Sequence, residues 1–254
     1  MRAFRPPKVE SSPLKLTDRA VRFGLKPIVF LASLGPFFYL IWAALTGNLS
    51  ANPLSDLTNE TGVWTLRFVC ITLAITPVRK LTGWNALVKF RRMAGLYAFF
   101  YATLHLLTYA IVDRFAGLDQ AADWVEAIGA GHLPGMTLVA STARGLTKSI
   151  GEDIYKRPFI TIGFAAWLTM LPLAITSTTG WIRRLGGKRW NLLHRLVYLT
   201  GILGPLHYWW LVKADVNRPL TYAAVVAILL GTRVLWNRTR RSVAVPARAP
   251  ATHA

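Results

Sequence analysis

Six runs of roughly 20 apolar residues recur along the chain, and this pattern limits what it can fold into more than any other feature. Each run is long enough, as an α-helix, to cross the roughly 30 Å hydrocarbon core of a bilayer. The sequence therefore predicts an all-α polytopic membrane bundle of six transmembrane helices. The runs lie at about 27–46, 63–79, 93–112, 158–178, 190–212 and 219–236.

The ends of the chain follow from the same pattern. The first run succeeds a basic leader but has no convincing small-residue cleavage site, so we expect an uncleaved span rather than a signal peptide. The organisation predicted is a basic segment at 1–26, a membrane domain at 27–236 and a disordered tail at 237–254, which is rich in Pro and small residues.

Charge is distributed unevenly between alternate connections. The segments on one side hold twenty Lys and Arg, and those on the other side hold seven. By the positive-inside rule the richer side is cytoplasmic, which places both termini in the cytoplasm. The richer segments are 1–26, 79–92, 183–189 and 237–254, and the poorer ones are 47–62, 113–157 and 213–218.

Composition excludes several classes of protein and of binding site. The 254 residues are 53% hydrophobic, which excludes intrinsic disorder, and the net charge of +19 brackets apolar runs rather than forming a nucleic-acid-binding face. Cys70 is the only cysteine. Disulfides, zinc fingers, iron–sulfur clusters and covalent c-type haem need more than one thiol, so we expect Cys70 to be a packing residue.

Three histidines fall within the apolar runs, where an ionisable side chain is costly and so indicates function. His105 lies toward the outer end of the third run, and His194 and His207 are the inner and outer histidines of the fifth. Both runs lead outwards, so His105 and His207 can reach one depth and ligate one haem iron from opposite faces. Such bis-histidine ligation suits electron transfer. His132 and His253 are expected to be ordinary exposed histidines.

A second site is predicted about 20 Å farther in, because thirteen residues of helix separate His194 from His207. Fourteen residues before His105, on nearly the same helix face, lies Arg91, so His194 would pair with Arg91 or with Arg92. Arginine holds its proton tightly. Ligation of iron by Arg91 and neutralisation of a haem propionate or quinone-derived anion both remain open.

Two further expectations concern helix geometry. An unbroken helix would turn His207 well away from His194, so we expect a break at Gly204-Pro205. Gly95, Gly201 and Gly204 would admit a flat macrocycle or allow close helix packing.

Four strings carry a resemblance to a known family. Over about residues 24–236 the chain resembles the MsrQ (YedZ) family, the haem-binding membrane subunits of the periplasmic methionine-sulfoxide reductase system. The strings are Arg91-Arg92-x-x-Gly95-Leu96-Tyr97 through Thr103-Leu104-His105-Leu106, Lys156-Arg157-Pro158-Phe159-Ile160-Thr161-x-Gly163, Thr176-Ser177-Thr178, and Leu193-His194-x-x-Val197-Tyr198-Leu199 through Leu206-His207-Tyr208.

The resemblance implies a ferric-reductase-like transmembrane domain in the bacterial inner membrane. Electrons from the quinol pool, or from a cytosolic flavin reductase, would pass through one or two b-type haems to a periplasmic molybdopterin catalytic subunit. That partner would reduce methionine sulfoxide in oxidised envelope proteins, and this chain would itself be a non-catalytic electron-transfer subunit.

The family's haem residues map onto His105, His194 and His207, with Arg91 at the inner site. A quinone is a further implied cofactor, and family members are described as binding FMN, although the sequence shows no flavin-binding signature. Residues near 115–140 look like an insertion relative to the family.

Two alternatives come from other classes of protein. One is a stand-alone transmembrane ferric or quinone reductase, which normally needs a soluble flavin and nicotinamide domain. The other is a non-redox membrane protein whose histidines relay protons.

The long outer connection at 113–157 carries two more expectations. An amphipathic helix is predicted at 121–128. Four basic residues would either position an acidic partner or meet lipid headgroups. They are Arg144, Lys148, Lys156 and Arg157.

Overall fold

The computed structural model describes residues 18–116, 118, 120–212 and 215–243. Its regular structure is helical, and no strand occurs in those ranges. The all-α class predicted from the apolar runs is therefore confirmed. His253, most of the basic leader and the tail from residue 244 lie outside the described residues.

The helices follow the order of the apolar runs, with two more in the outer connection. Short π-helical segments precede the first helix, at Val21–Leu25, and follow the third, at Thr108–Asp113. The helices are α1 (Lys26–Leu45), α2 (Pro53–Thr82), α3 (Val88–Leu107), α4 (Gln120–Gly129), α5 (Met136–Lys156), α6 (Pro158–Ile175), α7 (Thr179–Leu193), α8 (Leu196–Leu211) and α9 (Asn217–Val243).

Five helical segments in the described residues are long and apolar enough to cross a membrane. They make the chain a multi-pass membrane protein, whereas six crossings remain a prediction. The segments are Val21–Leu45, Pro53–Thr82, Asn85–Ile111, Pro158–Ile175 and Asn217–Trp236.

The fifth predicted run, 190–212, is divided between two helices. The chain turns at His194 and Arg195, between α7 and α8, and α8 has only 16 residues. The expected break at Gly204-Pro205 does not occur, because α8 continues through Pro205. The helix is interrupted at residues 194–195 instead.

α2 begins ten residues before the apolar run that predicted it, because a polar segment is well capped. The Asn52 side chain accepts a hydrogen bond from the Ser55 amide at 3.1 Å, and Pro53 occupies the first turn. The helix ends at Gly83, whose φ of 70° is the left-handed conformation typical of a C-terminal glycine. The early start makes residues 53–62 helical and brings Thr58 and Gly62 to the site described below.

The core lies between α2 and α3. Phe68 and Tyr101 stack with ring centroids 5.4 Å apart, and the Tyr101 hydroxyl donates to the Ser33 carbonyl of α1 at 2.7 Å. Large apolar side chains also point outwards, as at Leu45, which is 82% exposed. An apolar exterior around a packed interior is the arrangement expected in lipid.

The outer connection is mostly helical. α4 confirms the helix predicted at 121–128, and the Trp124 indole donates to Thr142 of α5 at 2.8 Å. α5 itself was not predicted.

A buried carboxylate ties α5 to the rest of the chain. Asp153 bonds Arg114 at 3.1 Å, Arg157 at 3.2 Å and the Tyr109 hydroxyl at 2.6 Å. Three partners on one carboxylate fix the C-terminal end of α5 against the π-helical segment after α3.

At the other end of the chain, α9 runs through Val243, past the predicted end of the last run at 236.

Candidate functional site

His105 on α3 and His207 on α8 face each other at one end of the bundle. Their ring centroids are 6.0 Å apart, and the ring planes meet at 77°. Two imidazoles that bind one metal ion from opposite sides, each through a bond of about 2 Å, place their rings at roughly this separation. The structure thus brings together the two histidines expected at one depth.

Backbone carbonyls fix the protonation of both rings. Nδ1 of His105 lies 2.8 Å from the Thr58 carbonyl oxygen, and Nδ1 of His207 lies 2.6 Å from the Phe159 carbonyl oxygen. Because a carbonyl only accepts, each Nδ1 carries the proton and donates it. Nε2 of each neutral ring is left with a free lone pair, which is the form of histidine that ligates a metal.

A glycine of a neighbouring helix lies against each ring. A Cβ atom at Gly163 of α6 would fall 2.7 Å from two ring atoms of His207, and one at Gly62 of α2 would fall 3.1 Å from Nδ1 of His105. Any larger residue would push the ring away. The sequence interpretation missed both glycines, although Gly163 closes one of the quoted strings.

The two histidines line an apolar cavity of about 330 Å³. Its size and lining suit a planar hydrophobic group. In the described ranges, no three or more His, Cys, Asp or Glu side chains come together in a group that could hold a metal ion by itself. The donor set therefore fits a haem, whose macrocycle supplies the remaining ligands. Other lining residues include Leu66, Ala102, Trp167, Met170, Thr200 and Tyr208.

One side of this cavity is bounded by polar residues. Tyr109 and Arg157 line it, and both are bonded to Asp153. Lys156 pairs with Glu152 at 2.9 Å. Of the four basic residues considered for partner or lipid contact in the outer connection, Arg144 and Lys148 remain exposed without an ion pair in the described structure.

His194 lies apart from the histidine pair, in the turn between α7 and α8. Its ring stacks on Trp190 with centroids 3.8 Å apart, and its Nε2 is 3.2 Å from the Thr176 hydroxyl. The Trp190 indole donates to the Thr176 carbonyl at 2.9 Å. These contacts explain the turn, because they hold the end of α7 against the end of α6.

Of the two arginines considered for the second site, Arg91 is half-buried and Arg92 is exposed. Arg91 lies close enough to Tyr198, His194 and Arg233 for its charge to act on them. The structure thus favours Arg91 over Arg92 as the inward-facing residue. The sequence interpretation missed Arg233, although it is the only charged residue of the last apolar run.

The remaining predicted residues have ordinary surroundings. Gly201 packs against Leu73, which indicates helix packing, whereas Gly204 packs against Leu66 and also lines the cavity. His132 is exposed, as expected. Cys70 is a free, half-buried cysteine.

Comparison with known proteins gives a consistent result. Residues 61–204 match the family described as "Ferric reductase like transmembrane component". Three curated relatives are each named protein-methionine-sulfoxide reductase heme-binding subunit MsrQ. The relative from Ralstonia nicotianae is 49% identical over 220 residues, which cover 86% of each chain.

The other two relatives align over similar lengths. The Herminiimonas arsenicoxydans protein is 44% identical, covering 86% of this chain and 88% of its own. The Xanthomonas euvesicatoria protein is 43% identical, covering 87% and 94%. No solved structure matches the chain.

Proposed function

Because the chain belongs to the MsrQ family of haem-binding subunits, we propose that it carries electrons across a membrane through haem to a separate methionine-sulfoxide reductase. The sulfoxide chemistry then lies in the partner protein. The chain itself binds and orients the electron carrier.

The observation that carries this proposal is the His105–His207 pair. The two rings lie 6.0 Å apart and line an apolar cavity, each has Nε2 free of the carbonyl bond at Nδ1, and each ring is held by a carbonyl and a glycine. A haem bound there would supply one-electron chemistry between ferric and ferrous iron. His105 and His207 would both hold the iron, and ligation by two histidines favours electron transfer over binding of oxygen or substrate.

The chain's own residues have three roles at this site. The imidazoles bind the iron, and the Thr58 and Phe159 carbonyls orient them and raise their basicity. The apolar lining excludes water. Binding is non-covalent, b-type, because Cys70 alone cannot form two thioether links.

A second haem site at His194 is part of the proposal, with Arg91 beside it. The half-buried position of Arg91 and its closeness to His194, where its charge acts, support it. Electrons would enter near this end from the quinol pool or a cytosolic flavin reductase. They would leave from the His105–His207 end to a periplasmic molybdopterin subunit.

The proposed setting is the bacterial inner membrane, crossed six times, with both termini in the cytoplasm. The uneven distribution of Lys and Arg supports this orientation. The exposed Arg144 and Lys148 of α5 would then face the periplasm, where they suit an acidic partner surface. A bound quinone or FMN is compatible with the proposal.

The test is a dithionite-reduced minus oxidised spectrum of the detergent-purified chain, with pyridine haemochrome quantification. We expect Soret and α bands in the wild type. His207→Ala and His105→Ala should each lose the haem of the pair and abolish reduction of the partner, whereas His132→Ala should do neither.

Full partner reduction by His207→Ala would contradict the assignment. A wild-type chain without haem bands, purified with adequate haem supply, would favour the proton-relay alternative.

A further inference from the structure

We propose that Arg233, together with Arg91, binds an acidic group, a carboxylate or a phosphate, of a ligand held at the end of the bundle away from the His105–His207 pair. The inference rests on the proposed function for the identity of the ligand, though not for the existence of the site.

Arg233 is buried where an arginine is costly. It is 8% exposed, and its Nε has no hydrogen-bond partner. One guanidinium nitrogen donates to the Leu73 carbonyl at 2.6 Å, and the group lies over the Tyr198 ring at 5.2 Å. These contacts orient the charge but do not neutralise it. A buried, uncompensated cation costs several kcal/mol, so a counter-charge is expected.

A proline explains why Arg233 can reach this position. In an unbroken helix the Leu73 carbonyl would accept from the amide of residue 77, which is Pro77 and has no N–H. The carbonyl is therefore free to accept from Arg233. The kinked segment of α2 thus anchors one edge of the guanidinium and leaves its Nε edge for another group.

Arg91 supplies a second charge at the same place. Arg233 lies over the Tyr198 ring, and Arg91 is near enough for its charge to act on Tyr198 and to repel Arg233. Among the described residues neither forms an ion pair with a carboxylate.

The sequence explains why neither arginine pairs with a carboxylate. No Asp or Glu occurs at 61–112, at 154–214 or beyond 215. Two inward-facing arginines without an acid nearby form a site for an anion from outside the chain.

The chemistry of the two guanidinium groups limits the class of ligand. Guanidinium pairs bind carboxylate and phosphate oxygens through paired N–H groups. A haem propionate beside His194 is one source of such a group, and the phosphate of a lipid or a flavin is the other.

The experiment compares Arg233→Gln, Arg233→Lys and Arg183→Gln in the full-length, detergent-purified chain. Arg183→Gln is the matched control. It removes the same charge from the same positively charged side of the chain, but Arg183 is exposed. Native mass spectrometry identifies the bound ligand, pyridine haemochrome gives haem per chain, and redox titration gives the haem potentials.

We expect Arg233→Gln to lower occupancy of the ligand by about tenfold or more, as loss of a charged hydrogen bond implies. Loss of one of two haems, or a lowered potential of one haem, would identify a propionate. Loss of a phosphate-bearing mass with haem unchanged would identify a phosphate. Arg183→Gln should change neither.

Unchanged ligand masses and potentials in Arg233→Gln would overturn the inference, as would a wild-type chain that holds one haem and no phosphate-bearing ligand. Retention of the haem at the His105–His207 pair reports that the variant is folded. If Arg233→Gln does not fold, Arg233→Lys decides. It keeps the charge but replaces the paired N–H groups of the guanidinium with a point charge. We therefore expect ligand occupancy below that of the wild type, and wild-type occupancy in that variant would also overturn the site. Absence of all haem from the wild type would instead defeat the proposed function.

Discussion

Single atoms decide how tightly the histidine pair is held. The Thr58 and Phe159 carbonyls hold the Nδ1 side of the rings, and Gly62 and Gly163 give the rings room against the helix backbones. Depth in the membrane predicted which histidines meet. It could not predict the hydrogen-bond partners or the glycines, because these come from helices that are distant in sequence.

The glycines can be tested by adding one methyl group. Gly163→Ala places a Cβ 2.7 Å from the His207 ring, so the ring must move and its carbonyl bond must weaken. Overpacking of this kind costs about 1–3 kcal/mol, and we expect a roughly tenfold or greater loss of haem affinity at the pair. The measurement is the α-band intensity per chain.

The control for this prediction is Gly35→Ala, since nothing lies within 4 Å of a Cβ at that membrane glycine. Gly62→Ala should have an intermediate effect, because its contact is 3.1 Å. A haem content that is equal in all three variants would show that the glycines do not position the rings.

At the scale of helices, hydropathy found the apolar elements and missed the polar extensions. The N-terminal part of α2 and all of α5 are rich in polar residues, so a search for apolar runs passes over them. The division between α7 and α8 was also missed. It depends on contacts of Trp190 and His194 with Thr176, which no local pattern reveals.

The prediction at the scale of helices concerns how α5 is attached to the rest of the chain. Asp153→Asn leaves Arg114 and Arg157 without their shared carboxylate and weakens the bond to Tyr109. Because these arginines are partly exposed, we expect a loss of about 1–3 kcal/mol in the stability of this region. Limited proteolysis of α4 and α5 and thermal unfolding measure it.

Glu152→Gln is the matched control, one residue away on the same helix. Glu152 forms an exposed pair with Lys156, which lowers its pKa, and such pairs contribute little to stability. We therefore expect the wild-type proteolysis pattern. If Asp153→Asn behaves like Glu152→Gln, the carboxylate does not hold α5 in place.

For the whole molecule, composition and charge predicted an all-α membrane protein and its orientation, and the structure confirms the first of these. Orientation cannot be read from the helices alone, because a bundle and its inverted copy pack identically. Only the charge distribution favours one of them.

Orientation is tested with two reporters that work on opposite sides of the membrane. Green fluorescent protein fused after Ala254 should fluoresce, and alkaline phosphatase fused there should be inactive. Inserted after Gly131, between α4 and α5, alkaline phosphatase should be active. The reverse pattern would invert the proposed direction of electron flow. Phosphatase activity at both positions would mean an even number of crossings between Gly131 and the C-terminus, two instead of the predicted three, and so five in total.

The short length of α8 has a consequence for the surrounding lipid. Its 16 residues span about 24 Å, less than the roughly 30 Å of hydrocarbon in a typical bilayer. If α8 crosses the membrane as the fifth predicted span, tilting would shorten its reach further, and lipids beside His207 would have to compress to meet it. That elastic deformation would draw the aqueous boundary toward the histidine pair. Under the proposed function, acyl-chain length would then control how far an electron must travel to leave the protein.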